Sequence, residues 1–232
     1  MPSSSMQTEG FALGNQMFVD RRDAGRQLAQ ALIHHAGTNA LVLGLPRGGV
    51  PVADEVARVL GATLDVWVVR KLGVPADPEL GMGAIAEGPA VFLDRELVSE
   101  LGIPSSQVLR AARGALEELG RLVASLRGDR PQPDISGQRV ILVDDGVATG
   151  ATMRAAVRAI KRHQPAWLVI AIPVAAPDTV AVLQREVDEV VCLHQPRNLR
   201  AVGAWYEDFR QVSTEEVGRI LQRAAAGSRE LS

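Results

Sequence analysis

The sequence predicts an α/β fold, a mostly parallel twisted sheet flanked by helices on both faces. Short, strongly apolar runs at Ala40–Leu43, Val140–Val143 and Trp167–Ile172 read as buried strands, and segments of helical period lie between them. Gly- and Pro-rich turns follow the first runs on their carboxyl side, where open sheets of this class bind ligands. At 232 residues, 47% of them hydrophobic and 22% charged, the chain fits one large globular domain.

Each element has its own signal. Met1–Gly10 is Ser-rich and reads as a disordered tail without the apolar segment of a secretory signal, leaving residues 11–232 as a single domain. Leu28, Ala29, Leu32 and Ile33 recur at helical spacing between Asp20 and Gly37, with Gly37 placed for a left-handed cap. Ala40–Leu43 is the first strand, Pro51–Leu60 resumes a helical period, and Thr63–Val69 is a second strand bounded by Gly61 and Gly73. Residues 71–89 collect Gly73, Pro75, Pro78, Gly81, Gly83 and Gly88, too many punctuators for a regular element, so a flexible loop of lid length is expected. Val91–Leu93 returns as a short strand. Ser105–Leu126 is a long amphipathic helix with Val108, Ala112, Leu116, Leu119 and Val123 on one stripe, and residues 128–137 connect onward. Arg139–Val143 is a buried strand whose turn, Gly146–Gly150, feeds a helix to about His163, stopped before Pro165. Strands Trp167–Ile172 and Glu189–Leu193 flank a helix at Pro177–Glu186. Trp205, Tyr206 and Phe209 then mark an irregular tail before a closing helix at Ser213, which makes a capping box with Glu216.

Composition excludes several classes. No stretch is long and apolar enough to span a bilayer, and a soluble cytoplasmic protein is expected. A net charge of −2 argues against nucleic acid or anionic membrane as partner. The single cysteine, Cys192, excludes an internal disulfide and a cysteine metal cluster, and its neighbours Val190, Val191 and Leu193 bury it at a strand end. His34, His35, His163 and His194 lack metal-ligand spacing. The first two are expected to close the first helix, where positive charge is tolerated, and His194 has a minor reading as a substrate contact. There is no Walker A motif, and Gly81–Ala86 imitates a dinucleotide fingerprint without following a strand or opening a helix.

Chemistry concentrates in Val140–Thr152, VILVDDGVATGAT. The strand ends in Asp144 and Asp145, acids that can accept hydrogen bonds from a vicinal diol. Gly146, Val147, Ala148, Thr149, Gly150, Ala151 and Thr152 then supply small residues, hydroxyls and the N-terminus of a helix, a setting for a phosphate. Pro46, Arg47, Gly48 and Gly49 follow the first strand at the same sheet edge, with backbone N–H groups and a guanidinium suited to phosphate oxygens. Arg70 and Lys71 sit at the base of the expected lid.

The first segment resembles the signature of the type I phosphoribosyltransferases at every defining position. Over roughly Phe11–Ala225 the chain also looks like a little-characterised bacterial subgroup, on its Gly-rich segment, its inserted helix at residues 105–126 and the tail Ala201–Phe209. The resemblance implies that fold with a small hood and an inserted long helix. Asp144 and Asp145 would then hold the ribose hydroxyls of phosphoribosyl pyrophosphate, residues 146–152 its 5′-phosphate and residues 46–49 its pyrophosphate. Arg70 and Lys71 would stabilise the leaving group, Asp145 would assist the incoming base, and Mg2+ would be carried by the substrate rather than by direct protein ligands. The implied reaction belongs to nucleotide metabolism and transfers the sugar to a nitrogenous acceptor. The hood is expected at residues 194–212, where Trp205, Tyr206 or Phe209 either stack on the acceptor or anchor the tail to the core. A homodimer is compatible with the apolar stripes. The alternative is a regulatory protein that keeps the phosphoribosyl site as a sensor, since no base-specificity motif is recognisable.

Overall fold

Residues 17–88, 90–128 and 130–230 are described by the structure, a computed structural model. The expected tail Met1–Gly10 lies outside them, as do Phe11 and Pro89. Helix α1 (Arg21–Ala31) starts at Asp20, whose carboxylate accepts the Asp23 N–H at 2.7 Å. It ends earlier than its period suggests: a 3-10 turn, Ile33–His35, follows, and Gly37 takes its left-handed φ of 72° beyond that turn. Strand β1 (Leu41–Gly44) leads into α2 (Gly49–Leu60), closed by Gly61 at φ 63°. Next come β2 (Thr63–Val66), β3 (Val69–Val74), β4 (Asp77–Ala86), β5 (Ala90–Leu93), a short α3 (Arg95–Glu100) and the long α4 (Ser105–Arg127). The second half comprises β6 (Arg139–Val143), α5 (Ala151–Lys161), β7 (Trp167–Val174), α6 (Pro177–Leu183), β8 (Glu189–His194) and α7 (Thr214–Glu230). Ser213 accepts the Glu216 N–H at 3.1 Å, the forward half of the expected capping box.

The main sheet has the order β2-β1-β6-β7-β8, all parallel. Its central strands are buried on both faces, and their side chains alternate between two cores. Val42, Ile141, Val143 and Val169 face one core with residues of α1, α2, α4 and α7. Leu43, Val140, Leu142 and Ile170 face the other with residues of α5 and α6. Each such aliphatic side chain contributes roughly 1.5–3 kcal/mol by leaving water, which explains why continuous apolar runs, rather than alternating ones, mark these strands.

The segment expected to be a flexible loop is instead a three-stranded antiparallel sheet, β3-β4-β5. Its glycines allow the strands to approach. A Cβ on Gly83 would lie 2.1 Å from the Phe92 carbonyl oxygen, and register shifts on either side of Gly73 absorb the irregular spacing. Leu72, Val74, Met82 and Ile85 bury one side of the sheet in the first core. Gly81–Ala86, the fingerprint look-alike, therefore lies on a strand.

The strand predicted at Thr63–Val69 divides at Trp67, whose N–H makes the last ladder bond, to the Gly44 carbonyl at 3.1 Å, before Pro46 leaves the facing chain without an N–H to continue it. Arg127, at the end of α4, donates to the Val66 carbonyl at 2.8 Å and pairs with Glu87 at 2.9 Å and Asp65 at 3.3 Å. Glu87 in turn accepts the Val68 N–H at 3.2 Å. Backbone groups on the outer side of this edge strand are thus held by a buried ion network as the chain turns out into the small sheet. Along α4, Val108 and Leu119 are buried and Ala112 and Val123 half-buried, but Leu116 is 49% exposed and falls outside the stripe predicted for it.

His35 also departs from expectation. It is buried, its pKa is lowered first by that burial, and it faces Glu189 at 3.0 Å instead of serving as a cationic helix end. Cys192 is half-buried, its Sγ near the His194 carbonyl at 3.2 Å, and burial pushes the thiol up to about 11.

Arg127→Met tests the ion network. Burial raises the Glu87 pKa even beside Arg127, so removing the cation leaves a costly carboxylate. Urea unfolding at neutral pH is expected to show a loss of about 3–5 kcal/mol. That difference should shrink as pH falls, because Glu87 in the variant takes up a proton more readily than in the parent.

Candidate active site

Two loops meet at the carboxyl edge of the sheet, where β1 and β6 end side by side. The Leu45 N–H donates to the Val143 carbonyl at 2.8 Å and fixes the first loop against the second. Gly48 and Gly49 make the contact possible. A Cβ on Gly48 would lie 2.0 Å from Asp145 Oδ2, and one on Gly49 would lie 2.7 Å from the Val143 oxygen and 2.8 Å from Asp144 Cα. The Pro46–Arg47 peptide is cis, and the half-buried Arg47 lies within electrostatic reach of Glu215 on α7. The two segments singled out in the sequence are thus one site.

Asp144 and Asp145 continue from β6. Asp144 Oδ1 accepts the Asp145 N–H at 2.9 Å. Burial, and next the neighbouring Asp145 charge, push the Asp144 pKa well above the usual aspartate range. Asp145 is also raised by burial, with Arg21 opposing the shift: Arg21 Nε reaches Asp145 Oδ2 at 2.7 Å. Arg21 further donates to the Arg210 carbonyl at 2.8 Å and lies 3.8 Å over the Phe209 ring. No local motif announces Arg21. Its partner is 124 positions away, and the only cue is its place beside a helix cap.

The turn after the acids is shaped for close approach. Gly146 has φ 157°, and a Cβ there would lie 2.4 Å from Val202 Cγ1. Gly150, at φ 80°, caps α5. The Val147 N–H is satisfied by the Val174 carbonyl at 2.9 Å and Thr179 donates to the Ala148 carbonyl at 2.9 Å. Among the described residues, however, no acceptor meets the backbone N–H groups of Ala148, Thr149, Gly150, Ala151 or Thr152, and all but Gly150 of these residues are exposed. With the α5 N-terminus behind them, these donors present a turn that can receive an anion.

The remaining predicted residues are placed differently. Arg70 and Lys71 lie on β3, opposite Ile85 and Ala84 of β4, not on a lid. The Arg70 Nε is buried without an acceptor among the described residues, and Lys71 is exposed with its stem beside Gly81. A cleft of about 450 Å³ separates the small sheet from α5, lined by Gly81, Phe92, Arg95, Ala151, Arg154 and Arg158 among others. Of the tail aromatics, Tyr206 is buried beside Phe18 and donates its hydroxyl to the Asp145 carbonyl. Its pKa is raised by that burial. Trp205 stacks on His194 at 5.3 Å between centroids, and Phe209 packs on Tyr206 at 4.9 Å. Tyr206 therefore anchors the tail to the acidic turn, while Trp205 and Phe209 stay half-buried.

The Phosphoribosyl transferase domain family matches residues 20–204, most of the chain and both loops of this site. The chain belongs to that family. It is 46% identical over 209 residues, 90% of its length, to Rv0571c and MT0597 of two Mycobacterium tuberculosis strains, each named provisionally as a phosphoribosyl transferase. It spans 47% of the length of each of those relatives. Among solved structures, TT1426 from Thermus thermophilus is 44% identical with a TM-score of 0.78, covering 89% of this chain and 98% of that one.

Two variants test this geometry through stability. Gly49→Ala must move backbone on both loops and is expected to lower stability by about 1–3 kcal/mol in chemical denaturation. Asp144→Asn should do the reverse at neutral pH. A carboxyl whose folded pKa is raised destabilises the fold while ionised, so the amide is expected to raise the melting temperature. That advantage is largest above the raised folded value and vanishes as pH falls towards 3.8, where the parent is protonated in both states.

Proposed function

We propose that the chain transfers the phosphoribosyl group of phosphoribosyl pyrophosphate to a nitrogen nucleophile, a nucleobase in the simplest case, with release of pyrophosphate. The observation that carries this reading is the pairing of two half-buried carboxylates at the end of β6 with the unpartnered N–H groups of residues 148–152. One half suits a diol and the other a phosphate, at the separation of consecutive residues on one turn. In this reading the C1′–O bond to pyrophosphate breaks, a C1′–N bond forms, and the proton displaced from nitrogen passes to Asp145 or solvent.

Asp144 and Asp145 hold the 2′ and 3′ hydroxyls, and residues 146–152 hold the 5′-phosphate. Pro46, Arg47, Gly48 and Gly49 receive the pyrophosphate from the facing loop. Arg47, Arg70 and Lys71 then offset charge on the leaving group. The buried, unsatisfied Nε of Arg70 supports its part in this, since an anion would supply the missing acceptor. The acidic pair fits a substrate that carries Mg2+: two adjacent half-buried carboxylates have one cation between them, Arg21 paired with Asp145, and both hold protons above the usual aspartate range. Bound on pyrophosphate and ribose oxygens, Mg2+ would supply charge neutralisation for the departing group. The acceptor is expected against the tail, on Trp205 or Phe209 and not on the buried Tyr206.

Pyrophosphate release measured across a panel of nucleobases with Mg2+ tests the reading. One base is expected to support turnover, and Asp144→Asn with Asp145→Asn is expected to lower kcat/KM by about 100-fold or more. Tight binding of phosphoribosyl pyrophosphate with no turnover on any base would transfer the site to a regulatory protein.

A further inference from the structure

A second cluster of ligating side chains lies at the opposite, amino edge of the sheet, where β8 begins. His34 and His35, in the 3-10 turn after α1, both direct Nε2 at Glu189, the first residue of β8. His34 Nε2 is 3.0 Å from Glu189 Oε1 and His35 Nε2 is 3.0 Å from Oε2. One ligating atom from each residue lies within 4.8 Å of the others, and the two imidazole rings are 4.1 Å apart. His35 is buried at 3% side-chain exposure, Glu189 is at 29%, and His34 is open at 53%. The cluster is therefore fixed on its inner side and open to water on its outer side.

We propose that His34, His35 and Glu189 form a binding site for one zinc-class divalent ion, completed by solvent. The donor set decides the class. Two imidazole nitrogens and a carboxylate suit Zn2+, Co2+ or Ni2+, whereas Mg2+ and Ca2+ prefer oxygen alone. Spacing agrees: bonds of about 2.0–2.1 Å in a tetrahedral shell place neighbouring donors roughly 3.3 Å apart. The 3.0 Å from His35 Nε2 to Glu189 Oε2 is already close to that, and rotation of the exposed His34 ring, whose Nε2 is now at Oε1 of the same carboxylate, brings the third donor in. The ion would replace the protons now shared between the imidazoles and the carboxylate, and would tie the end of α1 to the edge strand β8.

One neighbour opposes the ion. Arg139 Nη1 lies 3.4 Å from His35 Nδ1, which accepts from it. Ligation through Nε2 puts the ring proton on Nδ1, where it faces a donor. The guanidinium must then turn away, towards the Trp167 ring that it already overlies at 5.4 Å. Arg139 thus sets the affinity, and Arg139→Gln, whose amide oxygen can accept the Nδ1 proton, is expected to bind the ion more tightly than the parent.

The histidines alone do not reveal this site, because the third ligand comes 154 residues after His35. Nor does the site depend on the transferase reading, since it shares no residue with the acidic turn.

The test uses the full chain without a histidine tag, stripped by chelation and titrated with Zn2+ against a chromophoric indicator. One ion per chain is expected, with a rise in melting temperature as the ion saturates the folded state. His34→Ala and Glu189→Gln should each weaken binding by about tenfold or more, and Arg139→Gln should strengthen it. Co2+ should give tetrahedral visible absorption in the parent and none in the double variant His34→Ala with Glu189→Gln. His34 is exposed, so its variant is expected to melt near the metal-free parent and to report on ligation alone. Stoichiometric zinc binding by the double variant as tight as the parent's would overturn the site, and so would failure of the parent to compete with the indicator.

Discussion

The constraint on which the site depends is the placing of two carboxylates side by side at the end of a buried strand. Asp144 and Asp145 are both raised by burial, Asp144 also by its neighbour's charge, and one arginine from a distant helix offsets the cost. Such a pair persists in a fold only if its surroundings leave it no alternative. Gly48 and Gly49 close one side, the Arg21 ion pair another, and the Tyr206 hydroxyl holds the Asp145 carbonyl. Strain of this electrostatic kind is what a ligand with a diol or a cation can relieve.

A second buried charge cluster performs a different task. Arg127, Glu87 and Asp65 sit where the chain leaves the parallel sheet, and they tie the turning backbone to the end of α4. An apolar replacement could pack as well or better, but it would not consume the Val66 carbonyl and the Val68 N–H. The network thereby holds the segment between β2 and the antiparallel sheet. Long helix α4 ends on the same residues, so the network joins the insertion to the start of the small sheet.

Much of this is legible in the sequence. The three central parallel strands, β1, β6 and β7, appear as apolar runs because burial on both faces removes the need for polar alternation, and the acidic turn appears because its residue types have few other uses together. What escapes is long-range. Arg21 reads as an ordinary surface arginine until the fold brings it across to Asp145, and Glu189 reads as a strand-end acid until His34 and His35 reach it. Pairings over more than a hundred residues leave no periodic trace. Leu116 fails in the opposite way: helical spacing alone marks it as core, but among the described residues no element covers that part of α4.

The glycine-rich segment after β3 shows how composition misleads when its cause is not considered. Glycine serves as punctuation where a chain must turn, but it also serves where two backbones must touch. At Gly83 the second reason applies, since the neighbouring strand's carbonyl occupies the space of a side chain. The same logic operates at Gly48 and Gly49, where the obstructing atoms are those of the acidic turn. In both places the glycine is read correctly only together with its partner, a carbonyl in one case and a carboxylate in the other. Glycines in the sheet and in the site therefore answer one geometric demand, close approach of main chain, and the chemistry differs only in what stands opposite.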